Sequence, residues 1–425
     1  MYIHRSSGHI YIKSSFGHHI PTYIHRALYY LHTFIMPAIT TVRASFPALS
    51  TRQVFFDNAG GSQALSSVIS SVTSHYTNSN VQLGATYAAG RRAADAYTAA
   101  YAAAAEFINC RPERIVFGPS TTQLLRNLSN ALSFEAGDEI VLSQGDHEAD
   151  ISPWVDLAER QGFVVKWYTP DPSTDAGDIV ELFTEKTKFV AVTHTSNILG
   201  TVNPIRKIAD AAHAVGALLA VDGVAYAPYG PIDVQELGAD FYVFSWYKVF
   251  GPHVSTLYVS DAAFPRVRSQ GFFFHPKDTL DGKMGLAAAS YELLQAVSLV
   301  VEYLGPRDGE MRRWMEGHHR AIMAPLLSYL ASDEKFTVFG KPEAGPDRVP
   351  VISFAVKGWD SPAVVEGIEK VSDYGLKHGH FYSVRLVGDI LGLLEDGRGG
   401  VVRVSLAHYN TGKSNILSHD SFFGC

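Results

Sequence analysis

Lys248 closes the stretch ADFYVFSWYK (239–248), directly after the apolar run Phe241–Phe244 and just before Gly251-Pro252. A lysine there is either a solvated strand-end residue or an amine held in a cleft for chemistry. Four other short apolar runs also end in polar groups. Ser120, Thr121 and Thr122 follow Ile115–Phe117, His147 follows Glu139–Leu142, Asn197 follows Phe189–Thr193, and Asp222 follows Leu218–Val221. Each has a plain explanation of its own: N-capping for the hydroxyls, a turn for Asn197, an ordinary polar contact for His147. Taken in order, they offer an anion cradle, an imidazole, an amide, a carboxylate and an amine. Pyridoxal phosphate requires that set: a helix start for its phosphate, a flat group on its ring, an anion at its ring nitrogen, and a lysine for a Schiff base.

The elements that must carry these groups alternate. Strands are predicted at Ile115–Phe117, Glu139–Leu142, Val164–Tyr168, Phe189–Thr193, Leu218–Val221, Tyr242–Phe244 and Thr256–Val259. Helices are predicted at Arg91–Phe107, Thr122–Leu132, Pro153–Gln161 and Ile205–Val215. Such alternation predicts an α/β fold, a mostly parallel seven-stranded sheet with helices on both faces. KFVAVTH and ALLAVDG are apolar at nearly every position, as strands covered on both faces are. In open parallel sheets ligands bind beyond the carboxyl ends of the strands, where all five groups fall. After Tyr258 the pattern changes to long helices, about 287–303 and 307–331. Then come the strand-like runs VPVISFAV, GHFYSVRL and VVRVSL, with a helix near 363–370. The expected division is a disordered extension at 1–36, a segment at 37–56 packing near the smaller domain, a large domain at 57–305, and a smaller α+β domain at 306–425.

Composition excludes several classes. With 425 residues, 46 % apolar, a sizeable core is available. Five of the 35 basic residues lie in 1–56, which has no acid, so 30 basic residues face all 42 acidic ones in the remainder. An acidic body is a poor nucleic-acid binder, and no apolar run reaches membrane-spanning length. Two cysteines, Cys110 and Cys425, exclude a disulfide framework and a cysteine-rich zinc site, and suit a reducing compartment. A cytoplasmic location is expected, with a mitochondrial one as the alternative raised by the acid-free start. His378 and His380 form an HxH pair without nearby acid or cysteine, so no metal is expected.

From VFFDNAGGSQ (54–63) to VRVSLAHYNT (402–411) the sequence resembles the class V aminotransferase family of fold type I pyridoxal-phosphate enzymes, in its cysteine desulfurase-like branch. The resemblance implies that Lys248 forms the Schiff base, Asp222 pairs with the ring nitrogen, His147 stacks on the ring and Asn197 meets its hydroxyl. Thr121 and Ser245 would hold the phosphate, with Tyr247 where relatives often carry histidine. Ala225 stands where many relatives place glutamine, leaving that ring contact missing or supplied by Tyr226. Arg403 would clamp the substrate carboxylate, and Ala59, Gly60 and Gly61 would line the pocket. A homodimer is implied too, with 281–292 reaching across.

Two departures matter. Matching Gly379-His380 to the family's Gly-His puts Tyr382 where a desulfurase carries its persulfide cysteine, and neither Cys110 nor Cys425 is placed to replace it. The tail after HYNT is short and polar. The implied reaction runs on an α-amino acid through an external aldimine and a quinonoid, and a C–S lyase outcome is the expectation. Alternatives are a Mannich-type cyclase, an aminotransferase or racemase, and a non-catalytic protein of the same fold.

Overall fold

The computed structural model describes residues 2–6, 9–13, 38–171 and 179–412. Seven strands form one sheet: β1 (Ile115–Gly118), β2 (Glu139–Ser143), β3 (Val164–Tyr168), β4 (Thr187–Thr193), β5 (Leu218–Asp222), β6 (Phe241–Ser245) and β7 (Ser255–Val259). Their order is β1-β7-β6-β5-β4-β2-β3, and β7 alone runs against its neighbours. Each expected strand is present, most of them extended by a residue or two at their ends.

Two apolar layers explain why these strands are apolar throughout. Val190, Val192, Leu219, Val221, Tyr242 and Phe244 enter the core on one face. Their alternating neighbours Phe189, Ala191, Ala220, Phe241 and Val243 enter the core on the other. A side-chain period of two therefore fills both layers from one run. Helices cover both faces. In α1 (Ala88–Ile108) small alanines bury against the first core, and Asn109 ends the helix in the left-handed region at φ 57°. In α2 (Thr121–Ala131), capped by Ser120, Leu124, Leu125, Leu128 and Ala131 share the buried stripe. α3 (Ser152–Gln161) and α4 (Ile205–Ala214) follow β2 and β4.

The smaller part carries its own antiparallel sheet. Its strands are β8 (Phe336–Phe339), β9 (Val351–Val356), β10 (Lys377–Gly379) and β11 (Val401–Ser405), in the order β8-β9-β11-β10. α5 (Glu310–Ala331) and α6 (Ser361–Val371) pack on it through Met323, Leu327, Val364 and Ile368. The described residues from Ile39 onward form one compact unit. The segment before residue 57 divides its contacts: Val42 and Phe46 join the large core, while Val54 pairs with Tyr374 and Phe56 joins the small one. Within the expected extension, Tyr2–Ser6 pairs antiparallel with His9–Lys13. Cys425 and the rest of the polar tail from 413 lie outside the described residues.

Two local expectations are corrected, and one helix was not expected. Residues 287–303 are not one helix: short helices at Leu280–Met284, Tyr291–Leu294 and Val297–Leu304 are separated by turns, with Ala288 at φ 63°. The stretch between the first two offers only Leu286 as a large apolar group, and it is exposed, so nothing drives helix docking there. GHFYSVRL is not a strand either. After β10, Phe381 and Tyr382 adopt φ 48° and 61°, which ends the ladder, and Arg385–Ile390 is helical. Its apolar residues Leu386 and Val387 pack instead with Ile198 and Leu199 from the loop after β4. A helix at Ser66–Asn78 has no strong sequence signal, because Ser and Thr dominate it and only Val68 and His75 are buried.

Candidate active site

Lys248 ends a single helical turn, Trp246–Lys248, that links β6 to β7. Trp246 fixes that turn, donating its backbone N–H to Val254 O at 2.9 Å and its Nε1 to Thr256 Oγ1 at 2.8 Å. The lysine is 9 % exposed. Burial and the Arg403 cation lower its amine to about 8, partly opposed by Asp222 and Asp57.

Asp222 ends β5, and its Oδ1 accepts from Val224 N at 2.8 Å. Gly223 follows because a Cβ there would lie 2.2 Å from the Tyr242 ring. Burial raises the Asp222 carboxyl to about 6, against the Val224 N–H and the Lys248 charge, which lower it. His147, partly buried in the loop after β2, accepts from Ala149 N through Nδ1 at 3.0 Å, which assigns its proton to Nε2. Burial first, then Lys248 and Arg403, hold it neutral down to about 4. The mutual electrostatic effects join Lys248, Asp222, His147 and Arg403 in one cluster.

The hydroxyls expected to form an anion cradle do not all gather in one place. Thr121 Oγ1 lies 2.8 Å from Ser245 Oγ, which lies 2.6 Å from Ser255 Oγ, all buried at the start of α2. The Ser120 hydroxyl is used as the cap, accepting from Gln123 N at 3.1 Å, and Thr122 is exposed. What this stretch could still offer an anion is the free N–H groups of a helix start. Ser255 was missed because it opens β7, and only the antiparallel register β6–β7 sets it opposite Ser245.

Arg403, on β11, is 2 % exposed. Its Nη2 donates to Asp57 Oδ1 at 2.8 Å and its Nη1 to Asn197 O at 3.2 Å, over the Phe381 ring at 3.7 Å. Asn197 donates to Phe381 O at 3.0 Å and accepts from Ser383 Oγ at 3.0 Å, so both ends of its amide meet the 381–383 loop. Ala59 N donates to Ser405 Oγ at 2.8 Å, stitching the 57–61 turn to β11. A Cβ at Gly60 would lie 2.7 Å from Asp57 Oδ2, and one at Gly61 would touch Tyr247 at 3.4 Å. Tyr247 stacks on His253 with centroids 4.7 Å apart and planes at 2°. Tyr382 is 65 % exposed, yet its ring centroid lies 5.0 Å from that of His147.

Ala225 is buried beside Asp222. Tyr226, the alternative for the contact missing there, does not supply it: its ring lies flat on His194, 3.7 Å away at 19°, and lines a different cavity. His378 Nδ1 donates to Gly399 O at 3.4 Å and His380 Nδ1 accepts from Tyr382 N at 3.1 Å.

The family model for aminotransferase class-V matches residues 54–414. The protein belongs to the class V aminotransferase family. It is 49 % identical over 384 residues to the aminotransferase-like protein FGM3 of Gibberella zeae, covering 88 % of this sequence and 95 % of that one. It is 37 % identical over 387 residues to the cysteine desulfurase-like protein ustD of Aspergillus flavus, covering 88 % and 87 %. To the nonribosomal peptide synthetase-like enzyme fsqF of Aspergillus fumigatus it is 38 % identical over 383 residues, 87 % of this sequence but 25 % of that longer protein. The fold is shared with a cysteine desulfurase from Thermococcus onnurineus NA1, at TM-score 0.78 and 22 % identity over 88 % of this protein and 95 % of that one. It is shared also with CsdA of Escherichia coli, at TM-score 0.76 and 23 % identity over 89 % and 96 %.

As a class V aminotransferase family member the protein is a pyridoxal-phosphate-dependent enzyme, and its residues fit that cofactor. The three buried hydroxyls at a helix start suit a phosphate, the buried Asp222 suits a ring nitrogen that keeps its proton, and Lys248 offers an amine that is partly free near neutral pH. No helix among the described residues is long and apolar enough to cross a membrane.

Proposed function

We propose that this enzyme cleaves the Cβ–S bond of an α-amino acid and releases the sulfur product directly, without a protein persulfide. The observation that carries this reading is Tyr382 against His147. A phenol cannot accept sulfur. Cys110 lies after α1, where burial pushes its thiol up to about 12, which makes it a poor nucleophile.

When bound, pyridoxal phosphate supplies a carbonyl that exchanges amines and a sink for an electron pair. Arg403 would orient the substrate carboxylate, with Asn197 and Phe381 fixing its guanidinium. Lys248 Nζ, unprotonated in part because it is buried beside Arg403, would take the Cα proton. The Cβ–S bonding pair then leaves with sulfur, which takes a proton. Water completes the balance, giving ammonia and a 2-oxo acid. His147, held neutral, would cover the cofactor without adding a second cation to the site.

The test is product analysis with cysteine and its S-conjugates. Thiol or sulfide with equal 2-oxo acid and ammonia is expected, unchanged by Cys110→Ser. Alanine with protein-bound sulfur would sink the lyase reading. The likeness to a nonribosomal peptide synthetase-like enzyme favours a place in secondary metabolism, and the second reading is a Mannich-type cyclase, in which the activated carbon closes a ring. Deuterium exchange at Cα without any 2-oxo acid would favour it. We also propose a homodimer, in which a second copy covers the exposed Phe272, Phe273 and Phe274 near 281–292; sedimentation as a monomer would refute this.

A further inference from the structure

A cavity of about 1080 Å³ opens between α5, the turn after β5 and the approach to β9. Its lining includes none of Lys248, Asp222, His147, Thr121 or Ser245. Of its many charged side chains only two are buried, and both are arginines: Arg312 is 5 % exposed and Arg348 4 %. The lining carboxylates Glu106, Asp233, Glu236, Asp308 and Glu316 are all partly or fully exposed.

Arg348 is largely satisfied, donating to Lys341 O and, at 3.0 Å, to Val351 O. Arg312 is not. Its Nε and Nη1 are enclosed without a hydrogen-bond partner among the described residues, and its guanidinium rests 4.9 Å from the Phe107 ring. The buried His319, on the same helix and lining the same cavity, also leaves Nε2 without a partner among the described residues, its ring edge-on to Tyr229 at 5.3 Å. A buried cation with no counter-ion is costly, and a protein that keeps one beside an open cavity gains when an anion enters. The walls suit more than a bare ion. Tyr226, backed flat against His194, presents an aromatic face, and Val202, Val349 and Met323 add apolar surface. The volume is that of a site for an organic molecule rather than for water alone.

We propose that this cavity is a second binding site, separate from the Lys248 centre, for an organic acid. Its carboxylate or phosphate head group meets Arg312 and His319, and its apolar or aromatic body lies against Tyr226. Tyr229 joins the two regions: it lines the cavity, packs against Ala59, and feels the charges of Arg403 and Asp57. An occupant therefore sits one side chain behind the residues that would hold a substrate carboxylate.

The test titrates the holoenzyme, with its cofactor site filled, against 4-iodobenzoate and phenyl phosphate by calorimetry. One or both probes should bind, and which of them binds identifies the head group. Arg312→Met should weaken that binding at least about tenfold while leaving the visible band of the cofactor unchanged. Three results would overturn the proposal: no binding of either probe below about 10 mM, equal affinity in Arg312→Met, or displacement by an amino acid that occupies the Lys248 centre. A crystal of wild-type holoenzyme with 4-iodobenzoate provides a second measurement that does not depend on the folding of Arg312→Met. Iodine density in the cavity supports the site, and density only elsewhere overturns it.

Discussion

Arg403 and Asp57 form an ion pair, Nη2 to Oδ1 at 2.8 Å, at the junction of β11 with the 57–61 turn. The arginine side group is 2 % exposed and that of the aspartate 30 %, so the cation is buried and its counter-ion partly solvated. One of the protein's own carboxylates thus occupies the guanidinium on which a substrate carboxylate is expected to dock. The substrate must share Arg403 with Asp57 or displace it.

Asp57→Asn should therefore lower stability by about 1–3 kcal/mol, since it strands a buried charge while removing a partly solvated one. An α-amino acid substrate should restore more of the melting temperature in this variant than in wild type. Arg403→Gln should keep the cofactor spectrum and raise KM by about a hundredfold, the loss of a charge-assisted pair. Equal ligand-induced shifts in wild type and Asp57→Asn would show that the two carboxylates do not compete.

The amine of Lys248, lowered to about 8, predicts how the apoenzyme takes up pyridoxal phosphate. Only the unprotonated amine attacks the carbonyl. At pH 8 about half of it is free, against about one part in 300 for an ordinary lysine. The reconstitution rate, followed by the visible band, should rise from pH 6 and level off above about 8. A rise continuing to pH 10 would contradict the burial argument. Lys248→Ala should give no borohydride-sensitive band.

The hydroxyl trio makes a sharper distinction than the sequence did. Ser255→Ala should weaken cofactor retention about 3- to 10-fold, the worth of a single hydrogen bond. Thr122→Ala should leave retention near wild type, because that residue is exposed. Dialysis followed by absorbance separates them, and the reverse ranking would remove Ser255 from the cradle.

Asp146 predicts a pH effect on stability. Its carboxyl is buried after β2, accepts from Thr193 N at 2.8 Å, and is raised to about 8 by burial, against that N–H and Ser143, which lower it. A raised folded-state value means that the folded form holds the proton longer than the unfolded form. Its contribution is therefore present at low pH and is lost as pH climbs from about 4 through about 8. Asp146→Asn removes that loss, so its melting temperature relative to wild type should increase from pH 5 to pH 8. A constant difference across that range would mean the carboxyl is already ionised at pH 5.

Much of the site was legible because it is built from strand ends. Where a short apolar run stops, the next few residues lie at the edge of a parallel sheet, whichever strand they belong to. That placed His147, Asn197, Asp222, Ser245 and Lys248 in one region before any contact was known. The 380s loop was misread because its aromatic and apolar residues suit a strand, while the left-handed backbone at Phe381 and Tyr382 has no mark in residue type. Asp57, Ser255 and Arg312 were missed for another reason. Each gains its meaning from a residue distant in sequence, and periodicity reports only on neighbours.

The amino-acid sequence by itself determined the layered α/β body, the order of polar groups along its strand ends and the presence of an amine suited to an imine, because those follow from local patterns of burial and strand direction. Only the tertiary structure decided that Arg403 is already paired with Asp57, that Ser255 joins Thr121 and Ser245 in one hydroxyl cluster, and that Arg312, beside an open cavity, is enclosed with no counter-ion among the described residues. Pairing and desolvation depend on which distant surfaces meet, and that is a property of the packed molecule.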